Sequence, residues 1–340
     1  MVAVGLASCH READDVALLS PRISLRDKFY AVAALSPEAA LVVGYGGKIL
    51  STADGGRTWE ERSSSTELAL YDVRFVDGRT GWACGQGGTI LRTVDGGRTW
   101  KRQPSGTEHS LFSLFFIDGA RGWAVGDKAV QLRTENGGES WQVSSVQPSL
   151  EGIGEDVSLA VVDPILYDVF FVDERTGWMA GEFGKIYRSD DGGRTWQEQQ
   201  NSLVGQGGVM SAFEMPTFFA VRFANDREGA AVGLEGKVAF TRDGGRSWTF
   251  AAGAGRAGSL PDPLYDLDLL AGGDAWIVGA AGRVLPFDGQ HWRAADLGLK
   301  VFSWLRAVDF YDESHGWIVG GYGVILRTED GGRSWLPCLG

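Results

Sequence analysis

The sequence predicts an all-β chain folded as a seven-bladed β-propeller, with four antiparallel strands per blade, and three observations carry that reading. First, one turn motif recurs. It is Thr93-Val-Asp95-Gly-Gly97-Arg-Thr99-Trp100, with further copies at Thr52–Trp59, Thr134–Trp141, Ser189–Trp196, Thr241–Trp248 and Thr328–Trp335. A worn copy, Phe287-Asp288-Gly289-Gln290-His291-Trp292, makes the seventh. Second, the chain between copies reads as three short strands separated by turns, about 41 residues per unit, the size of one blade. Third, 50 glycines, 13 tryptophans and a 44% hydrophobic content describe a packed, turn-rich β protein, not a disordered one.

The motif, an Asp box, is a hairpin clasp between strands three and four. Its Asp and Ser/Thr side chains can bond the turn's own backbone. Its glycines accept positive φ, and its Trp anchors the turn by a large apolar body. Unit two shows the rest of the grammar. Leu70–Val76 alternates as a first strand, Asp77–Thr80 turns, Gly81–Gly85 is a second strand, and Thr89–Thr93 is a third. The second strands end in Gly44, Gly85, Gly126, Gly181, Gly233, Gly279 and Gly320. Trp82, Trp123, Trp178, Trp276 and Trp317 hold one equivalent position there, replaced by Leu41 and Ala230 in units one and five. Tryptophan use is thus structural, and only Trp304 falls outside the pattern.

Residues 29–340 form the predicted propeller and residues 1–28 a tail. In the tail, Val16–Leu19 and Ile23–Leu25 could form strands that pair across the seam with the last repeat. Leu6-Ala7-Ser8-Cys9 resembles the lipobox of bacterial lipoproteins, which makes Cys9 a candidate lipidation site. A frayed terminus with one stray cysteine is the other reading. Cys84 reads as a small buried hydrophobe, and three cysteines make no disulfide framework.

A net charge of −12 argues against nucleic-acid binding. No apolar run is long enough for a membrane helix. Two connections between blades are longer than the rest, 146–165 and 201–216, and both belong to the face opposite the Asp boxes. Long loops carry function, so Leu150, Ile153, Met210 and Phe213 are candidate partner-binding residues, with core cover as the other reading. Lys48, Lys128, Lys185, Lys237 and Arg283 follow the second-strand turns, are expected in an arc on the same face, and are candidates for docking an acidic partner. Solvated turn cations are the plainer alternative.

One parity of the first strands carries Asp72, Arg74, Asp168, Arg222, Asp266, Asp268 and Asp309, an axial channel. It is read as hydrated ion pairs in preference to a cation site, since no loop has a metal-binding spacing. The arginines of the Asp-box face (Arg57, Arg79, Arg98, Arg121, Arg175, Arg194, Arg227, Arg246 and Arg333) are read as structural, paired with neighbouring aspartates. His10, His109, His291 and His315 are scattered and no nucleophile elbow is present. Neither a catalytic residue nor a cofactor or metal is assigned.

Val73–Gly85 followed by Thr89–Trp100, echoed by Phe171–Trp178 and Tyr311–Trp317, resembles the photosystem II stability/assembly factor family over roughly residues 29–340. The resemblance implies a non-enzymatic, monomeric, protein-binding scaffold, lumenal or periplasmic, with membrane-complex subunits as partners and a lipoprotein-type N-terminus in several members. That family is also described as having a basic arginine patch. The alternative is a sialidase-like glycosidase or glycan-binding propeller. Asp boxes occur there too, Pro21-Arg22-Ile23-Ser24 partly echoes its N-terminal motif, and Arg74, Arg222 and Arg306 lie on first strands.

Overall fold

In the computed structural model, residues 22–146, 163–206, 214–251, 262–270, 274–287 and 292–338 are described. The architecture is the expected seven-bladed ring. Six sheets have four antiparallel strands in sequence order. In blade six three strands, Leu264–Leu269, Ala275–Gly279 and Val284–Phe287, form the sheet. A bridge from Phe287 to Trp292 and an N–H···O bond from Ala295 to Val284 continue it. No described helix is long and apolar enough to cross a membrane.

The Asp boxes close as their chemistry requires. In blade two the Gly97 N–H donates to Thr93 Oγ1 at 3.0 Å, and the Thr99 N–H and hydroxyl donate to Asp95 at 3.0 and 2.6 Å. Gly96 and Gly97 sit at φ 77° and 81°, the left-handed region where a side chain is strained. In blade three Asn136 takes the aspartate's place and bonds Ser140.

Blades are joined by a repeated aromatic sandwich. The last residue of a first strand is Phe75, Phe116, Phe171, Phe223 or Phe310. The box Trp of the same blade meets that ring edge-on, as Trp141 meets Phe116 at 5.8 Å. The second-strand Trp of the preceding blade stacks on its other side: Trp82 on Phe116 at 3.6 Å, Trp123 on Phe171 at 3.7 Å, Trp178 on Phe223 at 3.5 Å. The same three indoles donate to the next blade's box, at the carbonyls of Gly137, Gly192 and Gly244. Opposite each Phe the second strand begins with glycine, because a Cβ at Gly122 would lie 2.4 Å from the Phe116 ring. Where the first strand ends in Ala34 or Leu269, the partner is alanine instead, Ala40 or Ala275.

The ring closes between blades seven and one. Trp317 meets Trp59 edge-on at 5.9 Å, in one cluster with buried Ile23, Phe29, Val319 and Cys338. Lys28 bridges to Gly321 across this seam. The Ile23–Leu25 stretch is a turn and not the expected strand; Ile23 is nonetheless buried against the last blade. Val16–Leu19 and Cys9 lie outside the described residues. Cys84 is buried and its thiol donates to the Leu111 carbonyl at 3.4 Å, as a small core residue.

Candidate functional site

The structure brings the seven predicted channel residues together around the axis. Each blade is a separate sheet, so inner-strand N–H groups facing the next blade have no ladder partner. Aspartates supply one. The Leu114 N–H donates to Asp72 at 3.0 Å, Val221 to Asp168 at 2.8 Å and Val308 to Asp266 at 3.0 Å. Phe310 donates to Asp268 at 2.8 Å and Ala34 to Asp309 at 2.7 Å. Each carboxylate therefore staples its own blade to the next. Arg222 bonds Asp168 and lies 3.5 Å from Asp266, while Arg74 lies 3.7 Å from Asp72 and 4.0 Å from Asp309.

Five carboxylates face two guanidinium groups, and the mismatch shows in proton affinity. Burial raises Asp266 to about 6 against the pull of Arg222 and Arg74. Burial and the neighbouring Asp268 charge raise Asp309 to about 7, and burial raises Asp268 as well. The box carboxylates go the other way; the Thr99 hydroxyl and N–H hold Asp95 at about 2. A carboxylate raised in the folded state holds protons that the unfolded chain has released, so its contribution is lost as pH rises through its folded value. Stability is therefore expected to fall between about pH 4 and pH 7. The Asp95-type groups remove stability only on acidification below the unfolded value of 3.8 towards about 2. Thermal melts should give a higher Tm near pH 5 than near pH 8. Asp309→Asn, which keeps an acceptor for the Ala34 N–H, should flatten that slope. Asp309 is 24% exposed, so the effect is on the order of 1 kcal/mol. An equal slope in wild type and variant would contradict the assignment.

Sequence reading missed the mouth of this shaft. The second residues of the first strands are Tyr30, Tyr71, Phe112, Tyr167, Phe219, Tyr265 and Arg306, and all seven line the axial cavity. From Tyr30 round to Tyr265 the neighbouring ring centroids lie 5.0–5.5 Å apart. Arg306 lies 5.7 Å over Tyr265 and completes the collar. Trp304, the tryptophan outside the repeat pattern, stacks on Tyr30 at 5.8 Å and extends the collar outward. A register irregularity in every first strand, such as that between Leu70 and Asp72, allows the second and third residues both to reach the axis.

The collar lies at the long-loop end of the shaft. Large apolar residues are exposed before and within the loops of blades one and seven: Leu25 (66%), Tyr45 (63%), Phe302 (86%) and Tyr322 (63%). The cations expected in an arc on the long-loop face are mostly engaged within the chain. Lys48 pairs with Asp27 at 2.8 Å, Lys185 with Glu198 at 2.9 Å and Arg283 with Asp262 at 3.0 Å, while Lys237 sits over Phe250. Lys128 is exposed, two turn positions earlier than the others, at φ 53°. Leu150, Ile153, Met210 and Phe213 lie outside the described residues.

On the opposite face, Arg121 pairs with Asp118 and Glu174, and Arg194 lies near Glu135. Arg57, Arg79, Arg98, Arg175, Arg227, Arg246 and Arg333 form no ion pair among the described residues, contrary to the expected pairing. The reason is local: box aspartates such as Asp54 and Asp95 already accept from their own Thr58 and Thr99. Among the described residues no group of acidic, His or Cys side chains has the grouping of a metal site.

The family model for the photosystem II assembly factor YCF48 matches residues 63–161, and the Asp-box repeat model matches 187–198. The chain is 26% identical over 161 residues to the photosystem II assembly lipoprotein Ycf48 of Nostoc sp. PCC 7120, covering 46% of this chain and 43% of that protein. Across 92% of this chain and 95% of the other, it superposes on a solved YCF48 bound to D1 peptide, with a TM-score of 0.69 and 20% identity. The chain is a seven-bladed propeller similar in sequence, over part of its length, to photosystem II assembly factors. The chloroplast stability/assembly factor HCF136 of Arabidopsis thaliana is 24% identical over 184 residues, covering 49% of this chain and 44% of that protein. The matched stretches thus span less than half the length of these relatives. An ancestral GH74 enzyme shares the fold at a TM-score of 0.70 and 13% identity, over 94% of this chain and 47% of that one.

Proposed function

We propose that the propeller is a non-enzymatic protein-binding scaffold that assists assembly of a membrane complex from outside the cytoplasm. The observation that carries the reading is the exposure of three aromatic residues on the loops of blades one and seven, Tyr45, Phe302 and Tyr322. Large apolar groups exposed on a soluble surface fit a partner, and aromatic anchors dominate protein interfaces. The likeness to YCF48 bound to D1 peptide supports the same class of function. In a phototrophic host the complex is photosystem II. In another host the same face holds a different membrane protein. The names of the lipoprotein and chloroplast relatives support an extracytoplasmic place, anchored through Cys9 where that residue is lipidated.

Glycan binding or hydrolysis has the GH74 fold likeness behind it. Against it, the shaft carboxylates already accept backbone N–H groups.

The test is affinity capture from the host's solubilised membranes with the tagged chain and with Tyr45→Ser/Phe302→Ser/Tyr322→Ser. Membrane-complex subunits should be recovered by the first and lost from the second. The melting temperature should barely move, since exposed substitutions change stability by about 0.5 kcal/mol each at most. Equal recovery by both proteins would place the partner surface elsewhere, and recovery by neither would sink the scaffold reading.

A further inference from the structure

The aromatic collar is not explained by the blade-to-blade staples beneath it. Its rings sit at the second strand position, outside the sandwiches that hold the blades together. All are half-buried and line one cavity. Ring faces carry negative potential and hold cations at a centroid distance within about 6 Å. The collar already holds one: the Arg306 guanidinium lies 5.7 Å over Tyr265, donates to the Tyr265 carbonyl at 3.1 Å, and has no carboxylate partner among the described residues. Beneath it, five aspartates outnumber Arg74 and Arg222. At the rim, Asp127 and Glu182 raise the hydroxyl proton affinity of Tyr71 and Tyr167, after burial, which puts carboxylates close to the rings. The whole chain carries a net charge of −12. The rim carboxylates oppose the positive charge of Arg306, which acts on Tyr30 and Tyr167, and favour a cation on the Tyr71 side of the collar.

We propose that the collar is a recognition site for a cationic side chain, an arginine or lysine presented by an extended segment of the partner protein, with its flanking apolar residues laid on Trp304 and the exposed loop aromatics. This rests on the scaffold reading and gives the partner's chemistry: a basic residue beside aromatic or aliphatic ones. The cavity is narrow, about 30 Å³, so the cation's head rests on the rings at its mouth and a folded domain is kept out of the shaft. Charge and stacking select the residue type, and the loop aromatics supply contact area.

The experiment is selection of random displayed dodecapeptides on the full chain and on Tyr71→Leu/Tyr167→Leu, with circular dichroism to show that the variant is folded. Enriched peptides should share an arginine or lysine at one fixed position, and enrichment should fall at least tenfold on the variant. A synthetic copy of the best peptide, with that arginine replaced by citrulline, should bind at least tenfold more weakly. The citrulline comparison uses only the wild-type chain, so it stands even if the variant fails to fold. Enrichment without a basic residue, no enrichment at all, or equal binding of the citrulline peptide overturns the proposal. Capture of membrane subunits that survives the collar substitutions would overturn this site while leaving the scaffold reading intact.

Discussion

Replacing Trp178 with alanine is expected to lower the unfolding free energy by about 3–5 kcal/mol, the cost of removing a large buried aromatic. Trp178 is fully buried. Its indole stacks on Phe223 of the next blade at 3.5 Å, and Trp248 meets the far side of that ring edge-on at 5.8 Å. Its N–H donates to the Gly244 carbonyl at 3.1 Å, inside the next blade's box. Alanine would lose the stacking and the hydrogen bond, and leave a void that a rigid sheet cannot collapse to fill. Trp178→Phe separates the parts: it keeps most of the stacking and loses the hydrogen bond, for about 1–2 kcal/mol. Urea unfolding of the two variants reads both values. A loss under about 1 kcal/mol for the alanine variant would mean that blade contacts of this kind do not hold the ring. Ala230 shows how the fold accommodates a small residue at the same position. The next first strand there ends in Leu269, not phenylalanine, so no aromatic sandwich is formed to be broken.

The repeat grammar of the sequence was enough to place the blades, because Asp-box turns and strand-ending glycines are set by local backbone demands. The two tryptophan columns were equally legible. Their common partner was not. Phe116 and Phe171 look like ordinary alternating strand residues until the blades are stacked, and then each sits between tryptophans of two different blades. The glycine that opens each second strand, Gly122 or Gly177, is the visible trace of that ring lying across it.

The shaft was half legible for a similar reason. Strict alternation puts Asp72 and Arg74 on the axis and Tyr71 away from it. The register shift between Leu70 and Asp72 suspends that alternation, and Tyr71 lines the cavity too. Lining up the repeats would have exposed the column, since Tyr30, Tyr71, Phe112, Tyr167, Phe219 and Tyr265 hold one position. The turn cations misled in the other direction. Lys48 and Lys185 share a sequence position, but that position lies within reach of Asp27 in one blade and Glu198 in the other, so the shared feature is an internal ion pair.

Asp168→Ala should cost about 3–5 kcal/mol as well, through charge and not volume. Asp168 accepts from the Ser113 hydroxyl at 2.9 Å, from the Val221 N–H at 2.8 Å and from Arg222. Alanine orphans a buried N–H and leaves Arg222 with Asp266 at 3.5 Å as its remaining ion-pair partner. The second substitution decides what the charge is for. If the pair serves only to neutralise itself, Asp168→Ala/Arg222→Met should recover much of the loss, because a buried ion pair replaced by apolar groups is often near neutral. The N–H of Val221 would still lack an acceptor, so recovery should stop about 1–3 kcal/mol short of wild type. Asp168→Asn/Arg222→Met restores an acceptor and should recover more. That ordering, measured as a cycle of unfolding free energies, separates the staple from the salt bridge. If Asp168→Ala/Arg222→Met is no more stable than Asp168→Ala alone, the carboxylate matters for the blade junction and not for the guanidinium beside it. The excess of acid in the shaft would then be a by-product of stapling adjacent blades whose strands share no ladder, with Arg74 and Arg222 present to keep five such carboxylates tolerable.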